Sequence, residues 1–170
     1  MGSPLLEQVK IQAQVLVPLL RAFREELGTE RANRIAWKAL ERWRTGVVSE
    51  MSKTLPVEAS NVDRFQTLFN QAVLPMVGDA VDMKWVRGES AFEEGKVPER
   101  WEFDVTGCRF AQFFRELGEP ELGFALLCSF DNTATDEVGK GDVEFSRTQT
   151  IMQGGDYCDF RYALKKKGLA

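Results

Sequence analysis

The 170-residue chain contains no histidine. That absence excludes a Ser–His–Asp triad, a Cys–His dyad and every metal site built on imidazole. Cysteine is scarce: Cys108, Cys128 and Cys158 are the whole complement, an odd number without a CxxC pair. Such usage points to reduced thiols in a cytoplasmic compartment rather than to a disulfide framework. No apolar run approaches the roughly 20 residues that cross a bilayer, so no membrane partner is expected. Basic residues are outnumbered, 22 against 26 acidic, for a net charge of −4. Nucleic acid is therefore not expected as a partner, because it demands a basic face. The only basic cluster, Lys165-Lys166-Lys167, reads as a solvated tail. GxGxxG, Walker and GxSxG motifs are missing too, and no cofactor or metal is expected.

What is present is ordinary globular composition, 44% hydrophobic and 28% charged, enough for one domain over residues 1–170. Residues 5–78 read as helical. Leu5, Val9, Leu16, Leu19, Leu20, Phe23 and Leu27 recur at helical spacing, with Pro18 marking a kink or a restart and Gly28 a left-handed stop. Thr29 is expected to cap a second helix to about Met51, and Ser60 with Asp63 to open a third near Asn61 to Val73, ended by Pro75 and Gly78. The apolar period then changes. Alternation predicts strands at 81–86 and 101–106, separated by a polar loop over 88–98. Helical spacing returns at Cys108–Leu117 and again from Pro120. The shared parity of Val143, Phe145, Arg147, Gln149 and Ile151 predicts one strand, and 157–164 another, joined by a turn at Gly154-Gly155-Asp156. The fold class is α+β: N-terminal helices, then ββ-αα-ββ with an antiparallel sheet over 80–165. The wide apolar faces of the first two helices permit a homodimer.

The chemistry-bearing groups lie in the last third. Cys128 and Asp131 share a helix face if the helix continues one more turn. Along the last strand Cys158 and Phe160 face one way, Asp159 and Arg161 the other. Without histidine, cysteine is the strongest nucleophile at neutral pH. Cys158 and Cys128 are candidate nucleophiles, Asp131 a proton shuttle, Arg161 and Arg147 clamps for a carboxylate, and Thr148 and Thr150 hydroxyl donors. Arg161 is expected to lower the Cys158 pKa if twist brings them together. Cys108, beside Phe110, Phe113 and Phe114, is assigned to packing. Each group also has a plainer use: buried thiols as small hydrophobes, Asp131 in a turn, arginines on a solvated face, Glu119 and Glu121 at a helix N-terminus. Two other functions remain open, a small-ligand binding or sensor domain without turnover, and a soft-metal site of Cys and Asp.

Two stretches carry a family resemblance. Cys108-Arg109-Phe110-Ala111, Phe114-Arg115-Glu116-Leu117-Gly118, Pro120-Glu121-Leu122-Gly123 and Leu127-Cys128 with Asp131 form the first. Arg147-Thr148-Gln149-Thr150-Ile151-Met152-Gln153-Gly154 with Cys158-Asp159-Phe160-Arg161-Tyr162 forms the second. Together they resemble the L-2-amino-thiazoline-4-carboxylic acid hydrolase family. The resemblance implies a small cytoplasmic bacterial hydrolase that opens a cyclic isothiourea, and hence a small carboxylated heterocycle as substrate.

Overall fold

The structure is a computed structural model describing residues 3–89 and 98–165. The expected loop over 88–98 and the lysine tail fall mostly outside these residues. Ser3 opens helix α1 (Pro4–Leu27): its Oγ accepts the Leu6 N–H and donates to the Met76 carbonyl. The helix runs unbroken through Pro18, neither ending nor restarting there. Pro18 and Gln14 are both exposed, so the Gln14 carbonyl left without a donor faces water. Gly28 alone separates α1 from α2 (Thr29–Ser52). At φ 78° and ψ 148° it has the positive φ of a glycine stop but not the left-handed helical ψ. Gly28 is also the N-cap of α2, so Thr29 is the first helical residue and not the cap.

Ser60 caps α3 (Asn61–Leu68) as the spacing predicts, its Oγ taking the Asp63 N–H and donating to the Asp63 carboxylate. The helix does not end before Pro75. It widens into a π-helical turn over Phe69–Val73 and finishes in α4 (Leu74–Val77). Proline cannot donate to the preceding turn, and a widened turn lets the chain absorb that loss.

Strands β1 (Val81–Arg87), β2 (Arg100–Cys108), β3 (Val143–Ser146) and β4 (Cys158–Leu164) form one sheet, ordered β1-β2-β4-β3 with every neighbour antiparallel. The helical segment between the two strand pairs comprises α5 (Arg109–Glu116), α6 (Pro120–Gly123), a π-turn Phe124–Cys128, α7 (Phe130–Ala134) and a second π-turn Thr135–Gly139. This is the α+β arrangement that the change of apolar period predicts. β3 is shorter than its parity suggests. It stops at Ser146 because Asp159 accepts the N–H groups of Thr148 and Gln149, one of which a longer strand would give to its ladder with β4.

Register brings the apolar face together. Trp101 pairs with Tyr162, Phe103 with Phe160 and Val105 with Cys158. The first two pairs stack at ring separations of 5.3 and 4.7 Å, worth roughly 0.5–1.5 kcal/mol each beyond the area they bury. Two apolar cores result. One lies between the sheet and α2, α3 and the second π-turn; the other lies between α1 and the α5–α6 segment. Buried Glu119 fastens the second, binding Arg21 at 3.0 Å and Arg24 at 2.7 Å. Its task is to tie α1 down rather than to favour a helix dipole.

Candidate functional site

The helix carrying Cys128 does continue past the π-turn, which places Asp131 on the buried side one turn on. Arg147, just beyond β3, reaches that side. Its Nη1 donates to Asp131 Oδ2 and its Nη2 to the Cys128 carbonyl, both at 2.8 Å. The guanidinium lies 4.9 Å from the Phe160 ring and 5.5 Å from Phe145. Arg147 is thus spent on the interior, its side chain only 6% exposed.

Cys128 and Cys158 lie beside this ion pair, and Cys108 lies beside those two thiols. Cys128 lies within electrostatic reach of Cys108, Cys158, Arg147 and Asp131, and Cys158 of Cys108, Arg147 and Asp131. Cys158 belongs to the sheet core and Cys128 to the helical core, while Cys108 touches both. The cluster therefore sits on the seam between the two cores. Cys158 Sγ accepts the Ile151 N–H at 3.2 Å. Cys108 does more than pack: it is the N-cap of α5, its Sγ accepting the Ala111 N–H at 3.4 Å.

Burial raises all three thiol pKa values above their ordinary range. Arg147 opposes this at Cys128 and Cys158, and Arg115 with two backbone N–H groups at Cys108. Burial also pushes the Asp131 carboxyl upward, against the pull of Arg147. Burial disfavours the Arg147 charge, but Asp131 and the thiols together outweigh it and keep the guanidinium protonated. Tyr162 completes the neighbourhood. Its hydroxyl is buried without a hydrogen-bond partner among the described residues, and burial and then Asp131 raise its pKa well above the usual value.

The other expected site residues lie elsewhere. Arg161 projects from the sheet face opposite Cys158. It binds Asp104 Oδ1 at 2.8 Å and the carbonyls of Phe103 and Phe160. The expected pKa-lowering by Arg161 is therefore replaced by Arg147, with burial dominant. Thr148 and Thr150 do not share a strand. The Thr148 hydroxyl donates to Asp159, and that of Thr150 donates to Gln153 Oε1 and accepts the Gln153 N–H. Both hydroxyls thus hold the loop after β3 in shape. Among the described residues no three Cys, Asp or Glu side chains are arranged to hold a metal ion.

Asp159 is the anchor of that loop. Burial alone would raise its carboxyl, but hydrogen bonds from Thr148 and Gln149 hold it below 3.8. A depressed carboxylate adds stability above its unfolded pKa, and that stability is lost as pH falls through the folded value. Asp159→Ala is expected to cost about 1–3 kcal/mol near neutrality. The gap from wild type should close on acidification. Thermal unfolding against pH measures it, and a gap that stays constant would assign the anchor elsewhere.

Two cavities flank the helical segment. One, of about 460 Å³, opens at the β3 edge and is lined by Asn132, Thr135, Phe145, Ser146, Arg161 and Tyr162 among others. The other, a groove of about 1230 Å³, runs between α2 and α6 past Trp37, Arg44, Phe124, Ala125, Ser129 and Met152. No thiol appears in either lining. The smaller cavity borders the ion pair rather than the thiols: Phe145 lies under Arg147, and Tyr162 feels the Asp131 charge.

No helix among the described residues is long and apolar enough to cross a membrane. No curated protein matches the chain. The family model described as L-2-amino-thiazoline-4-carboxylic acid hydrolase matches residues 8–162, a span from α1 into β4 that takes in every member of the thiol and ion-pair cluster. The chain belongs to the L-2-amino-thiazoline-4-carboxylic acid hydrolase family.

Proposed function

We propose that this chain hydrolyses a small cyclic isothiourea carboxylate, or a related ring with a C–N or C–S bond to open. The observation that carries the reading is the placement of Cys128 and Cys158 around the Arg147–Asp131 pair, with Cys108 beside them, inside the family match. The 460 Å³ cavity at the β3 edge suits a ligand of that size. Arg161 also lines it, yet it stands on the sheet face opposite Cys158 and is bound to Asp104, so it does not hold a substrate whose ring Cys158 attacks.

The electrophile is the amidine-like carbon between ring sulfur and ring nitrogen. Cys158 Sγ attacks it, with Cys128 the alternative nucleophile, and the thiol proton passes to Asp131. The ring C–N or C–S bond then breaks, and Asp131 returns the proton to the departing atom. Water displaces the cysteine, forming a C–O bond and restoring the thiol. The balance is one water consumed and one ring bond opened. Arg147 stays charged throughout and favours the thiolate while it forms.

A second reading, binding without turnover, draws on the burial that raises all three thiols. A turnover screen of cyclic isothioureas, thiazolines and hydantoin-like carboxylates, with products identified, separates the two. Ring-opened product from a carboxylated member is the expected result. Saturable binding of these compounds without product would establish the second reading instead.

A further inference from the structure

The outer face of the α1–α2 hairpin is apolar where none of the described residues covers it. Ile11, Val15, Leu19 and Phe23 recur every four residues along α1 and are all exposed, Ile11 and Val15 by about two thirds. Ile35 and Trp43 are exposed on α2. With only Gly28 between the antiparallel helices, residues equidistant from it lie alongside one another. Arg24 Nε donates to Asn33 Oδ1 at 2.9 Å, so Phe23 sits near the level of Ile35 and Val15 near that of Trp43, and the two stripes run side by side.

We infer that this face binds a second copy of the chain through a twofold, antiparallel α1–α1 contact. Area is the first argument. The six side chains leave on the order of 600 Å² of surface in water, at the upper limit of what monomers usually expose, and a polar rim brings it to the roughly 800 Å² per partner of stable interfaces. Charge is the second. From Ile11 to Leu20 the helix carries no charge at all, while its ends hold three basic and three acidic residues. A surface helix on an anionic membrane needs a basic excess, which this balance does not supply. A twofold axis near Val17 does use it. Val15 then meets Leu19 of the other copy and Ile11 meets Phe23, so the uncharged stretch is buried and both charged ends reach water.

Sedimentation equilibrium of the full chain tests this independently of any activity. The wild type is expected to dimerise at micromolar concentrations. Val15→Glu with Leu19→Glu buries like charges at the centre and should weaken association about 100-fold or more. At concentrations low enough for the wild type to be monomeric, thermal unfolding should be unchanged, because both positions are exposed. A monomeric wild type, or association indifferent to the two glutamates, would each overturn the inference. A wild-type monomer that binds vesicles of mixed phosphatidylserine and phosphatidylcholine would assign the face to lipid instead.

Discussion

Cys158→Ser is expected to lower kcat/KM by about 10³-fold or more while shifting thermal unfolding little. Serine keeps an acceptor for the Ile151 N–H that Cys158 Sγ receives, so the local fold retains its bond and only the nucleophile weakens. Cys158 is preferred to Cys128 because its sulfur already holds a backbone donor, whereas burial drives the Cys128 thiol far above its ordinary range. Cys108 has the strongest structural claim against that choice. It receives N–H groups at the start of α5 and faces Arg115, features that favour a thiolate. Three serine variants, compared for turnover and unfolding, decide between them. Near-normal activity in Cys158→Ser with loss in Cys128→Ser or Cys108→Ser moves the nucleophile accordingly. Activity in all three removes thiol attack and leaves Asp131 activating water.

Arg147→Met should be the most destabilising single change in the site, at about 3–5 kcal/mol, because it strands a buried carboxylate. The partners are 6% and 16% exposed at their side chains, so water replaces little of the lost charge. Asp131 then responds by taking up a proton, since burial already raises its pKa. An acid whose folded pKa is raised is most compatible with the fold below that value, so Arg147→Met should regain stability as pH falls toward the ordinary carboxylate range. Asp131→Asn keeps the shape and the hydrogen bond to Arg147 but cannot carry the proton. It should fold and lose turnover by roughly 10²–10⁴-fold. Chemical denaturation at several pH values and steady-state kinetics measure the two effects. An Arg147→Met protein as stable as wild type would mean that water reaches the pair, and an active Asp131→Asn would exclude proton transfer there.

Much of the fold was legible because it rests on local signals. Alternating Trp101, Phe103 and Val105 announce β2, and Ser60 with Asp63 announces α3, through contacts within a few residues. The boundaries that were misplaced all depend on partners distant in sequence or on non-standard turns. Pro75 does not stop its helix because a π-turn precedes it. β3 ends early because a carboxylate on β4 competes for its backbone donors.

The candidate site divides along the same line. Sequence alone supplied the residue types: no histidine, three free thiols, and an Asp and two Arg close by, with Cys158 and Arg161 on opposite faces of a strand by simple alternation. Which cation serves the thiols was not in that pattern, because Arg147 and Asp131 meet only when β3 and α7 pack. Nor was the gathering of Cys108, Cys128 and Cys158, which lie on β2's end, a π-turn and the start of β4. Helical and strand periods decide which side of an element a residue occupies. Only tertiary packing, through the antiparallel register of β2 with β4 and the seam between two cores, decides which of those sides face each other, and that is what joined three scattered thiols to one buried ion pair.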